Sequence, residues 1–361
     1  MIRVLHFLGS MNQGGAENFV MNLYRSIDKT KIQFDFLVNR EGIFDQEIKS
    51  MGGKIFLIPA LQNIGQIQYT RNLDRFFKEH KEYQIVHSHI NQVTGLILEI
   101  ANKNDIPVRI AHSHSSKSAK NPIVRIYKDY LGSKINKNAT ILFGCSDKAN
   151  EWLYKKNKDK AIIINNGVDV EKYRYNIETR QKIRKELKIK DNEIVIGHVG
   201  RFSKVKNHSF LLDIFKFYCT YNPHSKLILV GDGELKNDIL NKIKELELQE
   251  KVLMLGNIDN VHEVNQAMDY FVFPSFYEGL PVSLVEAQIS GLKVFASDRI
   301  TKMVQVTNNI KFLDINESAQ IWAEEILSTQ LDRKDMSEDV IKEGYDIREI
   351  AKKYIKLLGC D

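Results

Sequence analysis

Short apolar, β-branched runs alternate with helical patterns along almost the whole chain, and this alternation limits the fold more tightly than anything else in the sequence. The runs IRVLHFL, IQFDFLV, KIFLIP, YQIVHSH, PVRIAH, ATILFGCS and AIIINN are separated by helical stretches. Among these are a helix from Ala16, a long helix near Thr70, an amphipathic stretch from Pro122 to Lys137 and a helix over Asp147 to Tyr154. Strands joined through helices lie parallel, so the pattern predicts βαβ units and an open parallel sheet. A turn-rich break at Asn165-Asn166-Gly167-Val168-Asp169 interrupts the alternation. It restarts with EIVIGHVG, SKLILVG, KVLMLG, DYFVFP and LKVFAS, and helical patterns from Glu317 to Leu358 close the chain. The expected organisation is one α/β domain over 1–170, a second over 171–340, and a last helical segment over 341–361 free to pack back on the first. Open α/β sheets bind ligands at the carboxyl ends of their strands, so a ligand cleft is expected between the two halves.

With 361 residues, 43% of them hydrophobic and 27% charged, the chain can bury two ordinary cores and has no disordered character. The apolar run at the N-terminus is too short for a secretory signal, and no segment reaches the ~20 residues of a membrane span. A cytoplasmic location is expected. Cys145, Cys219 and Cys360 are widely spaced and lack CxxC or His partners, so reduced thiols are expected rather than a disulfide or zinc site. The net charge of +6 divides into about +13 for residues 1–190 and about −7 for the remainder, which points the first half toward an anionic partner.

The richest chemistry lies in FVFPSFYEGLPVSLVEAQISG, residues 271–291. A strand ends at Pro274, a loop presents Glu278-Gly279-Leu280-Pro281, and a helix begins near Pro281, with Val282 in its first turn. Free N–H groups at a helix start form an anion site, and Gly279 lets the backbone approach a ligand. Glu278 and Glu286 can face one cleft. Two carboxylates could serve as a hydrolase acid/base pair. An anion-binding helix start between them suits a departing diphosphate better, because that group needs positive charge rather than a proton donor. Arg201 and Lys206, in the loop after EIVIGHVG, offer a guanidinium fork and a point charge to phosphate oxygens.

Glu278 and Glu286 in EGLPVSLVEA resemble the E-x7-E motif of glycosyltransferase family 4. QGGAEN, IINNGVD, GRFSKVKN and LVGDGEL fit the same family pattern in order. The resemblance implies a GT-B fold, in which two Rossmann-like, doubly wound parallel-sheet domains face a central cleft. It also implies net retention at the anomeric carbon without a metal or other cofactor. On that resemblance Glu278 holds the donor sugar's hydroxyls, the backbone from Gly279 through Pro281 to Val282 meets the diphosphate, Glu286 binds the nucleotide ribose, and Arg201 and Lys206 neutralise the diphosphate. Gly14 and Gly15 then lie over the donor phosphates and the acceptor. Their spacing is not that of a nicotinamide site. One departure is Met303, where the family often carries an acid.

His87, His89, His112 and His114 form two HSH triplets at strand ends. As a metal site the pattern is weak, and none is expected. Comparison with the family's strand-end histidine makes His114 the residue that faces the reacting sugar, His112 next, and the 87–89 triplet structural. Lys117, Lys120, Arg125, Lys128, Lys134 and Lys137 punctuate an amphipathic stretch suited to an anionic membrane surface at the inner face of the cell membrane. No nucleic-acid module is present. The expected partners are a nucleotide-sugar donor, UDP-based by family prior, and a saccharide or polyprenyl-diphosphate-linked acceptor in capsule or exopolysaccharide synthesis. A nucleotide-sugar epimerase and a catalytically silent nucleotide-sugar-binding subunit are the competing readings.

Overall fold

A computed structural model describes residues 1–12, 14–114 and 121–359. Gln13 of the QGGAEN motif, Lys117, Lys120 and Cys360 lie outside the described residues. The chain divides into two compact units, Met1–Gly167 with Ile347–Asp361, and Val168–Asp346.

The first unit is built on a seven-stranded parallel sheet: β1 (Ile2–Phe7), β2 (Ile32–Val38), β3 (Ile55–Leu57), β4 (Ile85–Ser88), β5 (Val108–Ser113), β6 (Ile141–Gly144) and β7 (Ile162–Ile163), in the order β3-β2-β1-β4-β5-β6-β7. Helices cover both faces, which is why β2 reads as a nearly unbroken apolar run and is buried throughout. Alternate residues feed two cores: Val4, Phe34 and Phe36 enter one, Leu5, Phe7 and Leu37 the other. The charged residue in β2 is Asp35, fully buried and held by the Arg3 guanidinium and by the Tyr83 hydroxyl at 2.7 Å. A buried carboxylate persists only when such partners replace its water. The helix Ile347–Leu357 belongs to this unit. Its stripe of Ile347, Ile350, Ala351 and Tyr354 enters the core of Val4 and Phe34.

The second unit carries a six-stranded sheet: β8 (Ile194–Val199), β9 (Ser225–Val230), β10 (Val252–Gly256), β11 (Tyr270–Phe273), β12 (Lys293–Ser297) and β13 (Ile310–Leu313), in the order β10-β9-β8-β11-β12-β13. The strand β13 pairs in parallel with β12 and is not among the strands read from the sequence. It is a four-residue edge strand broken by Lys311, too short to set up a period. The stretch Pro122 to Lys137 is two helices, Pro122–Ser133 and Ile135–Asn138, rather than one. The helix read near Thr70 spans Leu61–Glu79 and is interrupted at Gly65, where φ is 74°. In each sheet the strand order reverses once, beside β1 and β4 in the first unit and beside β8 and β11 in the second. Loops that leave these reversals at the strands' carboxyl ends diverge and open a crevice.

Candidate active site

In the second unit the two loops at the reversal are those after β8 and β11. The first carries Arg201 and Lys206, the second Glu278 to Pro281. They are stitched together by Phe276 N–H, which donates to Val205 O at 2.9 Å. Lys206 closes a short 3-10 turn, and Asn207, in the left-handed region at φ 56°, redirects the chain into the helix His208–Tyr221. The Lys206 ammonium lies 2.9 Å from Glu278 Oε1 and 4.3 Å from the centre of the Phe273 ring. Both side chains are mostly buried, at 16% and 18% exposure, so the charges face each other with little screening. The contact lies off the hydrogen-bond direction, and buried Glu278 Oε1 has no hydrogen-bond donor. It remains an acceptor in want of an O–H or N–H.

Arg201 is 74% exposed and pairs with Glu234 at 3.1 Å, a surface ion pair of small net worth that a stronger anion can displace. Glu234 comes from LVGDGEL, whose glycines have a structural reason. Gly231 sits at φ +135°, and an added Cβ would strike the Gly200 carbonyl oxygen; at Gly233 it would meet Phe202 backbone atoms. Phe202 N–H donates to Asp232 O at 3.0 Å, and Leu235 N–H to Phe202 O at 3.1 Å. The glycine pair therefore holds the Arg201 loop in place.

After Glu278 the chain enters the helix Val282–Ile289, with Pro281 as its N-cap residue and no side chain capping it. Such a helix start presents N–H groups and positive dipole to an anion. An added Cβ at Gly279 would meet no protein atom, so any close approach there is to something outside the chain. Leu280 and Val282 are half-buried against the core of Val285 and Ile289. Glu286 is half-buried in the same helix. Loss of water pushes its carboxyl up to about 7, against the opposing hydrogen bond from the Tyr173 hydroxyl. Met303 is half-buried, and its backbone carbonyl accepts from the Tyr345 hydroxyl at 2.9 Å. Behind the Lys206 loop lie two buried histidines that sequence reasoning passed over. His198 Nδ1 donates to Val272 O at 2.8 Å, and its ring meets that of His208 at 4.7 Å. Burial lowers both, His208 to about 4.

In the first unit Gly14 and Gly15 begin the helix Gly15–Ser26, as a ligand-facing loop after β1 should. Its own Glu17 carboxylate lies beside Gly14, so an incoming anion would have to displace it. Phe19, in the next turn, packs edge-on against His112 at 5.0 Å and near His114 at 5.8 Å. The two HSH triplets are not separate features. With His6 of β1 they form one cluster: His6 Nδ1 to His89 Nε2 at 3.0 Å, His89 Nδ1 to His114 Nε2 at 2.8 Å, and His87 Nε2 to His112 Nδ1 at 3.3 Å. His87 Nδ1 reaches the Tyr354 hydroxyl at 2.9 Å. Four rings are buried and His114 is half-buried. Desolvation lowers all five, His6 and His114 to about 3, so all are neutral at physiological pH. His6 was missed because one polar residue in IRVLHF reads as an imperfection in an apolar strand. The thiols of Cys145 and Cys219 are free.

The helix Pro122–Ser133 is capped by Asn121, whose side chain accepts from Ile123 and Val124 N–H. It turns apolar residues outward: Ile123 is 79% exposed, Ile126 71% and Tyr130 56%. Arg125 is exposed, but Lys134 is bound to Glu99 at 2.7 Å. Among the described residues no helix is long and apolar enough to cross a membrane.

Comparison with known proteins gives this arrangement its class. Residues 13–172 match the family described as Glycosyltransferase Family 4, and residues 179–347 match Glycosyl transferases group 1. Over 359 residues the chain is 36% identical to EpsF of Bacillus subtilis (strain 168), a protein assigned to the glycosyltransferases, with 96% of this chain and 94% of that one covered. It is 29% identical over 301 residues to the UDP-Gal:alpha-D-GlcNAc-diphosphoundecaprenol alpha-1,3-galactosyltransferase of Escherichia coli, covering 77% and 78% of the two chains. The structure of Anabaena HepE in complex with UDP superimposes with a TM-score of 0.80 at 18% identity, covering 99% of this chain and 100% of that one. The chain belongs to glycosyltransferase family 4, and its fold is GT-B.

Proposed function

We propose that the protein is a retaining glycosyltransferase that moves a hexose or N-acetylhexosamine from a nucleoside diphosphate sugar, with UDP as the nucleotide, to a saccharide carried on a polyprenyl diphosphate. The observation that carries this reading is the Lys206–Glu278 pair at the β8/β11 reversal, with its unpaired buried acceptor and an uncapped helix start three residues on. Without ligand, Lys206 and Glu278 answer each other's charge. A diphosphate would take over Lys206 and draw Arg201 from Glu234, and Glu278 would turn its oxygens to the sugar hydroxyls. Glu286 would accept from the ribose. The E. coli relative, by its name, uses UDP-galactose and a diphosphoundecaprenol acceptor, and HepE was solved with UDP, which supports both choices.

In the transfer the bond from the anomeric carbon to the diphosphate oxygen breaks, and its electrons leave with the phosphate. The acceptor oxygen bonds to the same face of the sugar, and its proton passes to the departing phosphate oxygen. Positive charge from Arg201, Lys206 and the helix start does the work a metal ion could otherwise do. A charge pair at ~4 Å in an effective dielectric near 20 is worth about 4 kcal/mol. If half of that develops only as the leaving group departs, each cation speeds the step roughly thirtyfold. His114, neutral and half-buried, is the hydrogen-bonding partner for the sugar. The outward apolar face of Pro122–Ser133, flanked by Arg125, is the surface that rests on anionic lipid.

A thermal-shift panel of UDP, GDP, ADP and their sugar conjugates tests the donor. A ligand at a hundred times its Kd adds about 2.7 kcal/mol, and that gain should appear with the uridine series and vanish in Arg201→Ala. The anomeric configuration of the product by NMR tests retention; an inverted product rejects the mechanism. Sedimentation with anionic but not neutral liposomes, lost in Ile123→Ser/Ile126→Ser, tests the membrane face.

A further inference from the structure

The five-histidine cluster has an accounting that the transfer chemistry does not use. Of its ten ring nitrogens, seven bond to another histidine or to Tyr354. Three find no partner: His6 Nε2, His112 Nε2 and His114 Nδ1. His6 and His112 are fully buried. No carboxylate and no backbone carbonyl bonds any of the five rings among the described residues, although buried imidazoles ordinarily find such acceptors. Each neutral ring carries one N–H and one lone pair, so the cluster gathers imidazole nitrogens from three adjacent strands with neither enough donors nor enough acceptors to pair them all.

We propose that His89, His112 and His114 form a binding site for a borderline divalent transition-metal ion, Zn²⁺ being the natural occupant. Each of the three offers one ring nitrogen, and these nitrogens lie within 4.8 Å of one another. Three imidazoles with a fourth position open are a familiar zinc set, whereas Mg²⁺ and Ca²⁺ require oxygen ligands that are missing here. The remaining histidines do what a metal site needs of its surroundings. His6 holds His89 through Nε2, which leaves Nδ1 for the ion; His87 holds His112 through Nδ1, which leaves the unpaired Nε2; Tyr354 in turn fixes His87. In the ion-free chain His89 Nδ1 and His114 Nε2 share a proton across 2.8 Å. Two nitrogens on tetrahedral zinc, at about 2.0–2.1 Å from the ion, stand roughly 3.3 Å apart. The His89–His114 pair therefore opens by about half an ångström to take the ion in place of the shared proton, while the His112 nitrogen, within 4.8 Å of both, closes toward it. The other close triad, His6, His87 and His89, is wholly buried. The half-buried His114 gives the proposed site its way in. On the reading of His114 given above, an occupied site would also slow transfer, but binding itself does not depend on that reading.

The test uses the full chain, free of any histidine tag and stripped with a chelator, titrated with Co²⁺ and with Zn²⁺. The expected result is the intense visible absorption of tetrahedral or five-coordinate Co²⁺ at one equivalent, displaced by Zn²⁺. In His114→Ala, whose side chain is half-buried, affinity should fall by at least about a hundredfold. His112→Asn, checked for native circular dichroism, should do the same. A pale octahedral spectrum, or equal binding by the wild type and His114→Ala, overturns the proposal and leaves ordered water as the partner of the three nitrogens. UDP binding, which uses the second unit, should persist in His114→Ala, so failure here and failure of the donor reading are separable.

Discussion

Glu286 should make nucleotide binding and protein stability respond to pH in opposite directions. Its carboxyl moves from an ordinary 4.5 to about 7, chiefly through removal from water. The folded state therefore holds this proton more tightly than the unfolded state. Below pH 4.5 both states are protonated and nothing is lost; between 4.5 and about 7 stability falls as pH rises; above 7 the full cost of ionising in place is present. That cost is about 3 kcal/mol as an upper bound. Glu286→Gln removes it and can still accept from Tyr173. At pH 8 the variant should melt higher than the wild type, by up to roughly 5–10 °C for a unit of this size, and the gap should close toward pH 5. On the proposed assignment of Glu286 to the ribose, the ionised carboxylate is the better acceptor for its hydroxyls. With about a tenth of the carboxyl ionised at pH 6 and nine-tenths at pH 8, UDP should bind the wild type about tenfold more tightly at pH 8. Calorimetric Kd values and melting curves from pH 5 to 8 measure both effects. Equal melting temperatures at pH 8, or UDP affinity in the variant that matches the wild type at every pH, would refute the assignment of Glu286 to the nucleotide.

Lys206→Ala should lower kcat/KM at least roughly thirtyfold with circular dichroism unchanged; a rise in KM alone would mean that Lys206 binds donor and transition state equally. Gly95→Ala should cost about 1–3 kcal/mol in urea unfolding, because an added Cβ lands on the Leu131 carbonyl oxygen of the neighbouring helix; wild-type stability would show that this helix can retreat freely. Tyr354→Phe should cost about 1–3 kcal/mol by leaving His87 Nδ1 without its partner; no change would mean that water substitutes for the hydroxyl.

The parallel sheets, β13 apart, were legible because their strands are short apolar runs and their crossovers are long enough to carry helical period. The helix Asp147–Tyr154 has the bounds its pattern gives, with Ser146 capping it at Ala149 N–H. The site was legible only where its members are neighbours in the chain, as in EGLPVSLVEA and GRFSKVK. Glu234, Tyr173 and His6 were not, since each acquires its partner from an element far away in sequence. Tyr354 is the extreme case: it reaches His87 across 267 positions, and nothing in IREIAKKYIKL distinguishes it from a tyrosine facing solvent. The glycines of LVGDGEL read as a turn, and their reason, the close approach of the Phe202 backbone, exists only after folding.

The second unit is an insertion in the first. Its two ends are tied together, Val168 N–H donating to Tyr345 O at 2.8 Å beside a parallel bridge between Val168 and Asp346. During synthesis residues 168–346 have all they need before Ile347 leaves the ribosome. The first unit, begun earlier, must wait with the groove for Ile347, Ile350, Ala351 and Tyr354 uncovered. The part made first is thus the last to be finished, and for that interval it leaves apolar core surface uncovered.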